Sequence, residues 1–97
     1  LLIAVKVRNH SISVTGHAYY GKPGQDIVCT AVSALTNNLI YGFLSLTHDQ
    51  VSYTIESGNT EITYQNLSEG GKLLIDSFFI GICQIQEDYG SQYVQIQ

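Results

Sequence analysis

His17, Asp26 and Cys29 are the residues of this 97-residue chain whose types and spacing could do chemistry. A cysteine attacks as its thiolate, a form favoured at a helix N-terminus or beside an imidazolium, and a histidine brought near supplies proton transfer and orientation. An aspartate beside the pair could orient the imidazole as the third member of a triad. The chemistry this implies is that of a cysteine hydrolase. Each residue also has a plainer reading: a free cysteine is most often a small buried hydrophobe, and an aspartate before an apolar run is an N-cap.

Three elements must position these groups. Ile3, Val5 and Val7 alternate with Ala4, Lys6 and Arg8, and after a turn at Asn9-His10-Ser11 the period of two continues through Ile12, Val14 and Gly16. Ser13, Thr15 and His17 fall on the opposite face, so a hairpin puts His17 at a strand end. The segment Tyr19 to Gln25, with Gly21, Pro23 and Gly24, reads as a lid over the site or as an ordinary connection of ordinary length. From Asp26 to about Leu46, Val28, Val32, Leu35, Leu39, Phe43 and Leu46 recur at helical spacing. Asp26 fits the N-cap, and Cys29 lies in the first turn, where unpaired N–H groups favour a thiolate and could hold an oxyanion. The candidate substrate contacts are Tyr19, Tyr20, Gly21, Gly24 and Ser33, the last lying one turn beyond Cys29. The tyrosines could equally cover the core, and Ser33 could equally be structural.

Thr47-His48-Asp49-Gln50 ends this helix, with His48, like His10, read as surface. Strands over Val51–Glu56 and Thr60–Asn66 flank a turn at Ser57-Gly58-Asn59. A second amphipathic helix is expected from Lys72 to Tyr89, with Cys83 assigned to packing, and Gln92–Gln97 can add an edge strand. The order ββαββαβ implies an α+β domain of two layers, two helices on a mostly antiparallel sheet, with residues 1–97 as a single domain.

The composition narrows the partners. With 44% hydrophobic and only 12% charged residues, apolar surface is left over for association. A net charge of −4 without charge runs gives no footprint for nucleic acid or an anionic membrane. Two cysteines form neither a metal knuckle nor a disulfide framework, which suits a reduced, cytoplasmic chain. Zinc held by Cys29, His17 and Asp26 would lack the usual paired spacing, and Cys83 is too embedded in its helix to resolve an oxidised Cys29. No apolar run reaches the roughly 18 residues of a membrane span, and Lys6 and Arg8 follow the apolar start too closely for a signal peptide. The chain opens on Leu1, so the natural N-terminus is expected upstream.

Gly16-His17-Ala18, the glycine-containing loop, Asp26-Ile27-Val28-Cys29, the small residue Ala31 and Ser33-Ala34 together resemble the signature of the ribosomal-processing cysteine protease Prp family. The resemblance implies a catalytic dyad at His17 and Cys29 with Asp26 beside it, a mobile loop that gates access, a homodimeric α/β fold and no cofactor. It further implies a substrate: the precursor of large-subunit ribosomal protein twenty-seven, whose short N-terminal extension is cut off after an aromatic residue in support of ribosome assembly. The alternative function is a non-catalytic dimeric module that binds ribosomal proteins, with His17 and Cys29 merely near its groove.

Overall fold

A computed structural model describes residues 2–97. In chain order the elements are β1 (Ile3–Val7), β2 (Ser11–Thr15), α1 (Ile27–Leu46), β3 (Val51–Glu56), β4 (Asn59–Tyr64), α2 (Glu69–Tyr89) and β5 (Val94–Ile96), the order ββαββαβ expected from the sequence. The five strands form one sheet in the order β3-β4-β2-β1-β5. Its pairs are antiparallel except β1 with β5, which run parallel.

The period of two in the strands delivers Ile3, Val5, Ile12, Ile62, Tyr64 and Val94 to one face of the sheet. There they meet Val28, Val32, Leu39, Ile40 and Phe43 of α1 and Phe78, Ile82 and Ile85 of α2. Ile12 and Ile62 are cross-strand partners with no solvent exposure. Burying a side chain of that size stabilises the fold by about 1.5–3 kcal/mol, so this pair anchors β2 on β4. Phe43 stacks on Tyr64 with ring centroids 6.3 Å apart. The Tyr64 hydroxyl donates to the Arg8 carbonyl at 2.8 Å, which gives the polar tip of a core residue its partner. Burial pushes the Tyr64 pKa above its ordinary value.

β4 runs Asn59–Tyr64 rather than Thr60–Asn66, and three further boundaries differ from the sequence reading, each for a local reason. β2 stops at Thr15 because Gly16, at φ +92°, turns the chain out of the ladder, so His17 lies just past the strand rather than within it. α2 begins at Glu69 instead of Lys72 because Ser68 is its N-cap: the Ser68 hydroxyl accepts from Gly71 N–H at 3.0 Å and donates to Asp49 at 2.9 Å. β5 is confined to Val94–Ile96, since Tyr93 N–H donates to the Gly90 carbonyl in a turn instead of joining a ladder.

One expectation needs correction. α1, at 20 residues, is by length and composition apolar enough to cross a membrane. Thr30, Ser33, Thr36, Asn37 and Asn38 interrupt its apolar run without lowering the average far enough. Here it is a core helix that buries Val28, Val32, Thr36, Leu39, Ile40 and Phe43, while Ile27, Tyr41, Leu44 and Leu46 remain exposed.

Candidate active site

Cys29 enters the site from the first turn of α1, whose N-terminus is organised by one carboxylate. Asp26, in extended conformation, accepts the N–H groups of Val28 and Cys29 on Oδ1, each at 3.0 Å. Its Oδ2 accepts Tyr20 N–H at 2.9 Å and Gly21 N–H at 3.4 Å. A single side chain thus caps the helix and fastens the preceding loop to it. Burial acts to raise the Asp26 pKa, but donation from the Cys29, Tyr20 and Gly21 amides and from the Cys29 side chain outweighs it and leaves the carboxyl below its ordinary 3.8.

The sulfur of Cys29 is half-buried and receives a hydrogen bond from the backbone N–H of Ala18 at 3.3 Å. Ala18 follows His17 directly and is 1% exposed, so its methyl is locked in the core while its amide is turned to the sulfur. His17 itself is exposed and faces the β3–β4 turn. A Cβ added at Gly58 would stand 2.7 Å from His17 Nε2, which places the ring directly against that glycine. The turn is tied to the end of β2 by Gly16 N–H donating to the Gly58 carbonyl at 2.9 Å.

His17 and Cys29 line one cavity of about 360 Å³, together with Ser33 and Asn37 of α1 and Glu56 to Asn59 at the β3–β4 turn. The arrangement offers a thiol that accepts an amide N–H, an imidazole on the same cavity, and a lining that mixes polar side chains with Ile3, Val14, Val32 and Ile55. Among the described residues no group of three or more His, Cys, Asp or Glu side chains is placed to hold a metal ion.

A family model described as "Cysteine protease Prp" matches residues 2–95. The chain belongs to that family. It is also 47% identical over 34 residues to the ribosomal processing cysteine protease Prp of Mycoplasma pneumoniae, a stretch that is 35% of this chain and 34% of that protein. The match therefore spans about a third of the length of that curated relative. Among solved structures, Prp of S. aureus in complex with a covalently linked product peptide shares the fold at TM-score 0.87 with 19% identity, covering 99% of this chain and 96% of that one. The same S. aureus enzyme with a substrate peptide superimposes at TM-score 0.76 and 18% identity, over the same shares of the two chains. A Streptococcus mutans protein superimposes at TM-score 0.77 with 29% identity, over 99% and 90% of the two chains.

The remaining candidates of this Prp-family chain are placed unevenly. Ser33 lines the cavity, but Tyr19, Tyr20, Gly21 and Gly24 do not. Tyr19 lies edge-on to His17, centroids 5.9 Å apart, in a left-handed backbone conformation at φ 55°. Tyr20 points away from the cavity and sits edge-on to both Tyr89 and Tyr93, at 5.3 and 5.0 Å. It clamps the loop to the end of α2 and the approach to β5. Four hydrogen bonds of Asp26 run to backbone amides of the loop and the helix, and the Cys29 side chain adds a further donor.

Sequence reasoning missed Asn37 and the stretch Glu56 to Asn59. Asn37 had a signal, since Cys29, Ser33 and Asn37 recur every four residues along one line of α1. The turn was legible as a turn, but nothing local shows that it stands opposite His17; that follows from the pairing of β2 with β4.

Proposed function

We propose that this chain is a cysteine endopeptidase whose nucleophile is Cys29 and whose general base is His17. The observation that carries the reading is that both side chains border one cavity, with the sulfur already held by a backbone N–H. His17 takes the proton of Cys29, the sulfur attacks the scissile carbonyl, and His17 returns the proton to the leaving amine. Water then releases the acyl group, with His17 again acting as base. Asp26 supports this by fixing the turn that carries Cys29.

The proposed substrate is the precursor of large-subunit ribosomal protein twenty-seven, cleaved in the cytoplasm within its N-terminal extension after an aromatic residue. Support comes from the ribosomal-processing protease of M. pneumoniae, which this chain resembles over part of its length, and from the peptide complexes of the S. aureus enzyme. We also propose a homodimer. Tyr41 and Leu44 of α1 and Leu73 and Ile80 of α2 are exposed at 52–68%, and that apolar surface would be covered by a second copy.

The test is incubation with peptides spanning an extension junction, with Cys29→Ala and His17→Ala in parallel. Cys29→Ala should bind the peptide without turnover, and His17→Ala should lose about 10²–10⁴-fold in rate while remaining folded. Equal cleavage by parent and Cys29→Ala would overturn the assignment. Binding without cleavage by the parent would favour a protein-binding module.

A further inference from the structure

We propose that the backbone N–H of Ala18 is the donor that stabilises the oxyanion in acyl transfer, an inference that rests on the endopeptidase reading above. When an electron pair of Sγ forms the bond to the scissile carbon, the carbonyl π pair moves onto oxygen, and that oxygen needs a donor already aimed at it. The first turn of α1 is the obvious source, Cys29's own amide above all. The amides of Val28, Cys29 and Thr30 are engaged elsewhere: Val28 and Cys29 donate to Asp26 Oδ1 at 3.0 Å, and Thr30 N–H donates to the Asp26 carbonyl at 3.1 Å. With Cys29's own amide so engaged, a donor from outside the helix is better placed for the oxyanion.

Ala18 N–H is directed at Sγ, 3.3 Å away. The oxygen on the attacked carbon lies one bond beyond the new S–C bond, within reach of a donor that already touches the sulfur. The same N–H can thus follow the negative charge from sulfur to oxygen. Collapse of the intermediate restores the C=O bond and breaks the C–N bond. The amine nitrogen leaves with the proton that His17 took from Cys29, and a thioester remains. Water then adds as His17 accepts its proton, the oxygen is charged once more, and collapse expels the Cys29 thiolate, which recovers that proton from His17.

A useful oxyanion donor must not reorganise during the reaction, and Ala18 is held on both sides. Its side chain is 1% exposed within the core cluster. Gly16 before it is bonded to Gly58, and Tyr19 after it turns the chain at φ 55°. Because His17 and Ala18 are consecutive, one short piece of backbone sets both the imidazole and the donor.

The test is the full chain prepared with an ester in place of the amide at position 18, which deletes this N–H and keeps the methyl group. Turnover of a junction peptide should fall about 10²–10³-fold, the usual effect of losing one oxyanion donor, with KM little changed. Alkylation of Cys29 by iodoacetamide builds no oxyanion, so its rate should fall far less than kcat. Ala18→Pro also lacks the N–H but directs its ring Cδ at Sγ, so it is read for kcat alone and serves if the ester chain does not fold. Parental kcat in either folded variant overturns the proposal, and so does, in the ester chain, a loss in alkylation equal to the loss in kcat, which would confine the N–H to the sulfur. A parent chain that cleaves no junction peptide overturns the endopeptidase reading itself, and this inference with it.

Discussion

Gly58→Ala asks whether the β3–β4 turn holds the imidazole of His17. Gly58 sits at φ +73°, and a Cβ there would come to 2.7 Å from Nε2, 3.2 Å from Cε1 and 3.4 Å from Cδ2. Two effects are superimposed. A left-handed residue that carries a Cβ costs about 1–2 kcal/mol. In a domain of this size each kcal/mol moves Tm by about 4–8 °C, so strain alone predicts a loss of about 4–16 °C. The second effect is on geometry, because the ring must move away from the new methyl group. Displacement of a catalytic group by about 1 Å costs about 10²-fold in rate, so kcat should fall by about 10- to 100-fold. Gly58→Asn separates the two: asparagine enters the left-handed region more readily but brings the same Cβ, so it should recover Tm and not kcat. Both are measured by thermal unfolding and by junction-peptide cleavage at a temperature where all three proteins are folded. A folded Gly58→Ala protein with parental kcat would refute the claim that this turn positions His17.

Asp26→Asn tests the carboxylate that joins loop to helix. A folded pKa held below 3.8 contributes stability that is present above 3.8 and is lost as pH falls through the lower folded value. The parent Tm should therefore decline below pH 3.8 and the Asp26→Asn curve should be flatter there; superimposable acid limbs would count against the assignment. Tyr20→Ala removes two edge-to-face contacts, each contributing about 0.5–1.5 kcal/mol. Backbone amide exchange at Gly21 should speed up while exchange in β2 is unchanged, and equal protection at Gly21 would show that the tyrosine does not fasten the loop.

The parts of this molecule that were legible in sequence are those fixed by local physics. The alternation through Ile3, Val5 and Val7 and the three-four spacing from Val28 to Phe43 were enough for the element order and the layer arrangement. Asp26 as cap and Cys29 in the first turn followed from chain position alone. What was hidden depends on contacts between distant segments. The β2–β4 pairing carries Glu56 to Asn59 across to His17, and no local pattern reports it. Tyr20 reads in sequence equally as a substrate contact or as a cover for the core; its ring packs edge-on against Tyr89 and Tyr93, about seventy residues further along the chain.

The two oxygens of Asp26 hold two parts of the site separately. Oδ2 and the Tyr20 ring hold the loop, whereas Oδ1 holds the amides of Val28 and Cys29. Were the loop released to admit a peptide, only the first set would have to break, and the turn carrying Cys29 would keep its cap. Ala18 would stay in place with that turn, since its methyl is buried in the core. Binding of a junction peptide to Cys29→Ala should then lower hydrogen-exchange protection at the Tyr20 and Gly21 amides and leave Val28 and residue 29 protected. Simultaneous loss at all four positions would mean that loop and helix N-terminus open as one unit, and that the turn carrying residue 29 is not held while the peptide enters.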